Sequence, residues 1–359
     1  MTTYAPATPG RAALACIGPN WFASVMGTGI VAIAGATLPF DIPGLTVATT
    51  GLWLLAGLLL VVLATATLLQ WALHPEVARG HLHDPVLAHF YGAPAMALLT
   101  VGAGSLLVGT PVLGDRLAVG VAGTLWVLGT ALGLATAVLV PIQAFTTHPV
   151  DADSAFGGWL MPVVPPMVSA ATGPLLIPHL PAGQWQLSLQ LVCTMMFGLS
   201  LVASLVIITL IWSRLVQHKV GAAAAVPTLW IVLGPLGQSI TAAHHLGATA
   251  PYVLDAPYGS AFGAFALVYG LPVWGFAALW CALALALTVR TVRDGLPFTL
   301  TWWSFTFPVG TFVTGTSGLA QITQAVFLQV AAGVLYAALV VAWAVVATRT
   351  LNGVRRGSL

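Results

Sequence analysis

Apolar stretches of about 20 residues alternate along this chain with short polar ones, and the apolar stretches come in two kinds. Five open on an aromatic residue and are interrupted about five residues later: Trp21 before Gly27 and Gly29, Phe90 before Pro94, Trp159 before Pro165, Trp230 before Pro235, and Trp303 before Pro308. Successive openings lie about 70 residues apart, and between each pair sits a longer, unbroken run of Leu, Val and Ala. The repeating unit is therefore one interrupted membrane helix followed by one plain one. The predicted fold is all-α and membrane-integral, with ten transmembrane helices arranged as five helical hairpins. The spans are placed near 18–37, 49–73, 87–109, 118–146, 157–178, 188–212, 227–247, 262–289, 299–319 and 324–348. An arm (1–17) precedes the membrane domain (18–348) and a tail (349–359) follows it. Backbone freed from its ladder inside a bilayer is tolerated only against protein or beside a water-filled path, so the interrupted set marks the expected conduit.

Composition supports the membrane assignment. Hydrophobic residues make up 59% of the chain and charged ones 5%, against roughly 25% charged in soluble domains. Under the ten-span topology Arg11, Arg79, Arg214, Lys219, Arg290, Arg293, Arg349, Arg355 and Arg356 fall on one side, and Arg116 alone on the other. This positive-inside bias predicts a multi-pass protein of the plasma (inner) membrane with both termini in the cytoplasm. A cleaved leader ending in the small residues Ala32 to Ala36 is the competing reading of the first span, but its removal would leave nine spans and upset the charge bias. Cys16, Cys193 and Cys281 lack metal-ligand spacing.

The interior carries a second message. Asp41, Glu76, Asp84, Asp115, Asp151, Asp153, Asp255 and Asp294 all map to loops or helix ends, which argues against tight ion coupling, acidic cation rings and an arginine voltage sensor. A neutral path remains. With the N-terminus inside, the five interrupted spans run outward in parallel, and their positive dipole ends gather at the cytoplasmic mouth, where anions are drawn. Thr28, Ser169, Thr172, Ser239, Thr241, Thr311 and Thr314 offer hydroxyls to a passing anion, and Gly27, Gly29, Pro94, Pro165, Pro235 and Pro308 shape the wall. Two readings stay open. Carbonyls freed near Ile231 and Ser304 would favour cations instead, and Gly27 with Gly29 serves close helix packing equally well. Pro141 and Pro272 sit in plain spans, so proline alone marks nothing.

Trp21 to Gly29 (WFASVMGTG), Trp159 to Gly173 (WLMPVVPPMVSAATG), Leu229 to Gly237 (LWIVLGPLG) and Trp302 to Pro308 (WWSFTFP) resemble the tellurite-resistance/dicarboxylate transporter family. That family includes bacterial TehA-like proteins and the slow-type anion channels of plant guard cells. Further likeness lies in His83 to Pro85 and in Tyr269 to Trp280 (YGLPVWGFAALW). The resemblance spans nearly the whole chain. It implies a homotrimer in which each protomer has its own pore, with an inner ring of five kinked helices inside an outer ring of five. It also implies a phenylalanine plug on the ninth helix. The match of WWSFTFP puts that role on Phe307, with Phe305 and Phe312 as the neighbours that a shift of register would promote. Implied substrates are small anions, namely chloride, nitrate, sulfite or a C4-dicarboxylate such as malate, with tellurite resistance as a phenotype.

The histidines allow weaker readings. His74, Glu76, His81, His83, Asp84 and His89 crowd one stretch with no helix predicted to fix them, and interfacial placement competes there with a metal site. His244 and His245 could tune anion entry or simply pack. No nucleophile with a base appears, so an enzyme is not expected, nor a cofactor, nor a nucleic-acid partner. The expected partners are small anions and the lipid bilayer. Two functions compete: a gated passive anion channel, and a proton-coupled dicarboxylate or sulfite carrier, which would need a coupling residue that the sequence does not display.

Overall fold

A computed structural model describes residues 17–357 and Leu359. The arm expected over 1–17, with Arg11 and Cys16, lies outside the described residues except for Ile17. The helices are α1 (Phe22–Ala36), α2 (Leu45–Leu73), α3 (Pro75–His83), α4 (Gly92–Leu107), α5 (Thr110–Leu113), α6 (Asp115–Thr146), α7 (Pro165–Thr172), α8 (Gln184–His218), α9 (Leu233–Thr249), α10 (Tyr258–Asp294), α11 (Phe307–Thr323) and α12 (Val326–Arg356). No strand occurs among the described residues.

Among these residues seven helices are long and apolar enough to cross a membrane: Leu45–Leu73, Leu87–Leu107, Asp115–Thr146, Gln184–His218, Ala223–Tyr252, Tyr258–Asp294 and Val326–Arg356. The segments expected at 18–37, 157–178 and 299–319 are built of shorter pieces. The reason is local. Tight 3₁₀ turns at Pro19–Trp21, Leu87–Tyr91, Gly157–Leu160, Ala223–Val232 and Leu300–Phe305 precede α1, α4, α7, α9 and α11 respectively. Pro94, Pro165, Pro235 and Pro308 each fall within the first three residues of the α-helix that follows. There the missing N–H has no intrahelical partner to lose, so these prolines start an α-helix instead of bending one.

The first segment departs from expectation. Gly27 and Gly29 do not interrupt α1, which runs unbroken through both, because glycine keeps its N–H and can stay in the ladder. They permit close approach instead. A Cβ at Gly27 would strike Thr306 and Trp303, and one at Gly29 would lie 2.8 Å from a methyl of Thr100. The stretch from His74 to His89 also differs, since α3 and a 3₁₀ turn occupy it where no helix was expected. Its proline falls at the first helical position and Glu76 in the first turn, both favourable there.

The long helices overrun their predicted spans. At 37 residues α10 is about 55 Å long, well beyond a hydrocarbon core of about 30 Å, because a helical ladder need not stop where the apolar sequence does. Arg290 and Arg293 ride on the protruding end, and α12 carries the expected tail as helix as far as Arg356.

Packing sorts the helices into two sets. Helix α1 lies against α4, α4 against α7, α7 against α9, α9 against α11, and α11 against α1. Each long helix covers two of these: α2 lies on α1 and α4, α6 on α4 and α7, α8 on α7 and α9, α10 on α9 and α11, and α12 on α11 and α1. Burial agrees. The apolar windows of Leu87–Leu107 and Ala223–Tyr252 are 72% and 78% buried, those of Tyr258–Asp294 and Val326–Arg356 only 17%.

Side chains also donate to backbone carbonyls in and next to the 3₁₀ turns. Ser200 of α8 donates to the Val163 carbonyl at 2.6 Å, and the Trp280 indole of α10 donates to Leu229 at 2.8 Å. Thr311 donates to Leu233 at 3.1 Å from within the inner set. Further indoles tie the layers together, Trp53 to the Val101 carbonyl and Trp126 to the Ser169 carbonyl, each at 3.0 Å.

Gly92 and Gly157 sit where one junction presses on the backbone of the next, and an added Cβ would meet the Met161 and Thr228 carbonyls respectively. Gly92→Ala and Gly157→Ala are therefore expected to cost on the order of 1–3 kcal/mol or more each. The apparent Tm of detergent-solubilised protein should fall for both and stay put for Gly263→Ala, whose added methyl meets nothing. Wild-type melting of the first two would refute this account of the junctions.

Candidate functional site

A cavity of about 20 Å³, room for about one water, lies among α1, α4, α7, α9 and α11. Its wall takes Ile30, Ile33 and Thr37 from the first segment, Thr100, Ala103 and Leu107 from α4, and Val168, Ala171 and Thr172 from α7. Gln238, Thr241 and His245 come from α9, and Thr314 from α11. In the first segment, α4 and α9 these positions recur at three- and four-residue intervals, which marks one face of a helix.

No charged side chain lines this cavity. All eight carboxylates lie in loops or at helix ends, among them Asp115 at the start of α6 and Asp294 at the end of α10. The wall is hydroxyl, amide and imidazole set among aliphatic groups. Thr241 and Thr314 share a hydrogen bond of 2.8 Å between their hydroxyl oxygens. Thr100 and Thr172 donate back to carbonyls one turn earlier, Met96 at 2.7 Å and Val168 at 2.8 Å. At rest these two hydroxyls thus show lone pairs to the cavity, and an anion can take their protons only by turning them away from the helix.

His245 is tied to α7 by a 2.6 Å bond to the Ala171 carbonyl. A carbonyl can only accept, so Nδ1 carries the proton and Nε2 is left with a lone pair.

Residues 16–351 match the voltage-dependent anion channel family. The chain is 31% identical over 318 residues to a sulfite efflux pump of Arthroderma otae, covering 87% of this chain and 84% of that protein. It is 28% identical over 343 residues to an uncharacterized transporter of Methanocaldococcus jannaschii (95% and 94% covered). Identity to a malic acid transport protein of Schizosaccharomyces pombe is 22% over 333 residues (90% and 75% covered). The chain belongs to the voltage-dependent anion channel family. This is the family grouping that its tryptophan- and glycine-rich segments resemble, and with its apolar helices it makes the chain a multi-pass membrane protein. Relatives in it are named as channels and transporters, not as enzymes.

In this anion-channel family member, three of the seven hydroxyls expected on the path, those of Thr172, Thr241 and Thr314, meet at the cavity. The other four turn to neighbouring chain. Thr28 accepts from the Trp343 indole of α12 at 3.1 Å, and Ser169 from Thr130 of α6 at 2.8 Å. Ser239 and Thr311 donate to the Leu236 and Leu233 carbonyls. The prolines stand at the junctions, outside the cavity wall.

The phenylalanines near Pro308 separate by their partners. Phe312 lies 5.7 Å from Trp274 of α10, and Phe305 packs edge-on to Trp230 and Trp302 at 5.7 and 5.6 Å. Phe307, 2% exposed, is the first residue of α11. It precedes Thr314 by two turns and so stands below it on the same helix face.

The histidine-rich stretch forms no cluster of three or more metal-ligating side chains among the described residues. His83 donates to the Arg79 carbonyl and His74 lies 3.6 Å from Glu76. Burial pushes His81 below the ordinary imidazole range against the pull of Asp84, so it is neutral near pH 7.

The cavity also holds Gln238, which no reading of the sequence singled out. Its spacing to Thr241 and His245 on one face of α9 was the available signal. Its side chain is almost enclosed, 4% exposed, and brings to the cavity wall an amide that can donate from its nitrogen and accept at its oxygen. A hydrogen bond to an anion is worth about 1.5–3 kcal/mol. Gln238→Leu is therefore expected to lower anion flux by about ten-fold or more. Gln238→Glu, of the same size, should lower it further by placing a carboxylate in the path. Wild-type flux through both variants would dismiss the amide.

Proposed function

We propose that this protein conducts small anions passively across the membrane, through an uncharged path that Phe307 closes. The observation that carries the reading is a cavity without a charged side chain, walled by α1, α4, α7, α9 and α11 together. Ten spans in five hairpins account for it, with the five interrupted segments surrounding the path and the long helices outside. The cyclic order of packing and the contrast in burial support this arrangement.

Electrostatics favours anions. Five helices starting on one side direct about half a positive charge each toward that mouth. The competing cation reading needs free carbonyls, yet Val163, Leu229 and Leu233 are already hydrogen-bonded, and the Leu233 N–H reaches the carbonyls of Trp230 and Ile231. The weight of Lys and Arg beside those starts puts that mouth and both termini in the cytoplasm of an inner-membrane protein. Family likeness supports a homotrimer with one path per protomer. The relatives named for sulfite and malic acid point to small oxyanions and C4-dicarboxylates as cargo. Phe307 suits a plug because it stands below the cavity on the face that carries Thr314.

One observation favours a second reading, the proton-coupled carrier. His245 is a titratable side chain in the cavity wall, and its Nε2 lone pair could take up a proton.

Reconstitution in liposomes separates the two. A channel gives sulfite or malate current that reverses at the anion's Nernst potential and does not climb a gradient when a pH difference is imposed. Uphill uptake driven by protons, lost in His245→Gln, would replace the channel by the carrier. Phe307→Ala should raise anion conductance about ten-fold, as expected for removing an apolar constriction. An unchanged or smaller current from properly assembled protein would remove the plug from Phe307.

A further inference from the structure

Gly234 is buried in α9, yet a Cβ built on it would meet nothing within 4 Å. The other glycines with such open surroundings, such as Gly120, Gly263 and Gly275, are exposed or half-buried on the long helices. Its direction is fixed by register. Gly234 precedes Gln238 by four residues and Thr241 by seven, so all three share the face of α9 that lines the cavity. Its level is fixed as well. Thr241 and Thr314 are bonded side by side, and two turns back from them stand Gly234 on α9 and Phe307 on α11.

The same step back along the other segments, from Ile30, Thr100 and Val168, reaches Ala23, Ala93 and Met161. Of these five positions Gly234 alone carries no side-chain carbon, and the space where its Cβ would stand is empty. We propose that Gly234 is the notch through which an anion passes Phe307, and that its empty side sets the largest anion the path admits. This rests on the reading of Phe307 as the plug. With no atom within 4 Å of where its Cβ would stand, Gly234 leaves an opening at the level of the ring, and a methyl there narrows it directly.

The test is anion flux in liposomes with chloride, nitrate, sulfite and malate as probes. The added methyl of Gly234→Ala meets no atom, so its apparent Tm should hold. Its malate flux is expected to drop about ten-fold while chloride falls no more than about two-fold, because a narrowed opening excludes the larger ion first. Gly234→Val should stop all four anions, and Gly234→Val with Phe307→Ala should restore flux by returning the space. Wild-type flux through Gly234→Val, or equal loss for every anion in Gly234→Ala, would overturn the notch.

Failure of the plug reads differently. Block by Gly234→Val with Phe307→Ala neutral would retire the plug and keep Gly234 as the narrow point. A rise in Phe307→Ala with Gly234→Val neutral would do the reverse.

Discussion

Every backbone N–H and C=O in this protein must find a partner where no bulk water reaches. At two of the five 3₁₀ junctions the long helices supply donors to carbonyls outside the α-helical ladder. Ser200 and Trp280 reach in from α8 and α10 to Val163 and Leu229. An interrupted segment is therefore not a stable element alone. The long helices hold it in place, and their tryptophans serve both layers by spending an apolar ring on packing and an N–H on a neighbour.

Close approach is the second half of that arrangement. Gly92 and Gly157 bring one junction against the carbonyls of the next, and Gly27 brings α1 against Trp303 and Thr306. Where backbone nearly touches backbone, little room is left in the middle. A cavity of about 20 Å³ is the space this tight fit leaves among α1, α4, α7, α9 and α11.

Neutrality of the wall has a physical logic of its own. An isolated charge at mid-membrane costs about 2.5–3.5 kcal/mol on insertion scales, and a fixed cation would hold an anion too firmly for rapid passage. Amide and hydroxyl groups offer weaker attraction that can be released. Thr100 and Thr172 keep their protons on their own helices until something draws them off, and Gln238 brings an amide to the wall. Helix dipoles supply a long-range bias toward anions without any side-chain charge.

The all-helical character, the long apolar helices and the place of the carboxylates in loops or at helix ends were legible in the chain, because each depends on hydropathy and on residue type at intervals along it. Proline marked a junction only where it opens a helix, as at Pro94, Pro165, Pro235 and Pro308, since α6 and α10 continue through Pro141 and Pro272. Side-chain direction was not legible. The hydrogen bonds of Thr28 to Trp343 and of Ser169 to Thr130 could not be read from the chain, nor could the place of Gln238 in the cavity wall. A glycine pair and a proline looked equivalent as breaks, yet α1 continues through Gly27 and Gly29 because only proline gives up the ladder bond. Which face of each helix turns inward depends on the neighbours that cover the other faces. Those neighbours lie far away in sequence, so that choice belonged to the tertiary structure.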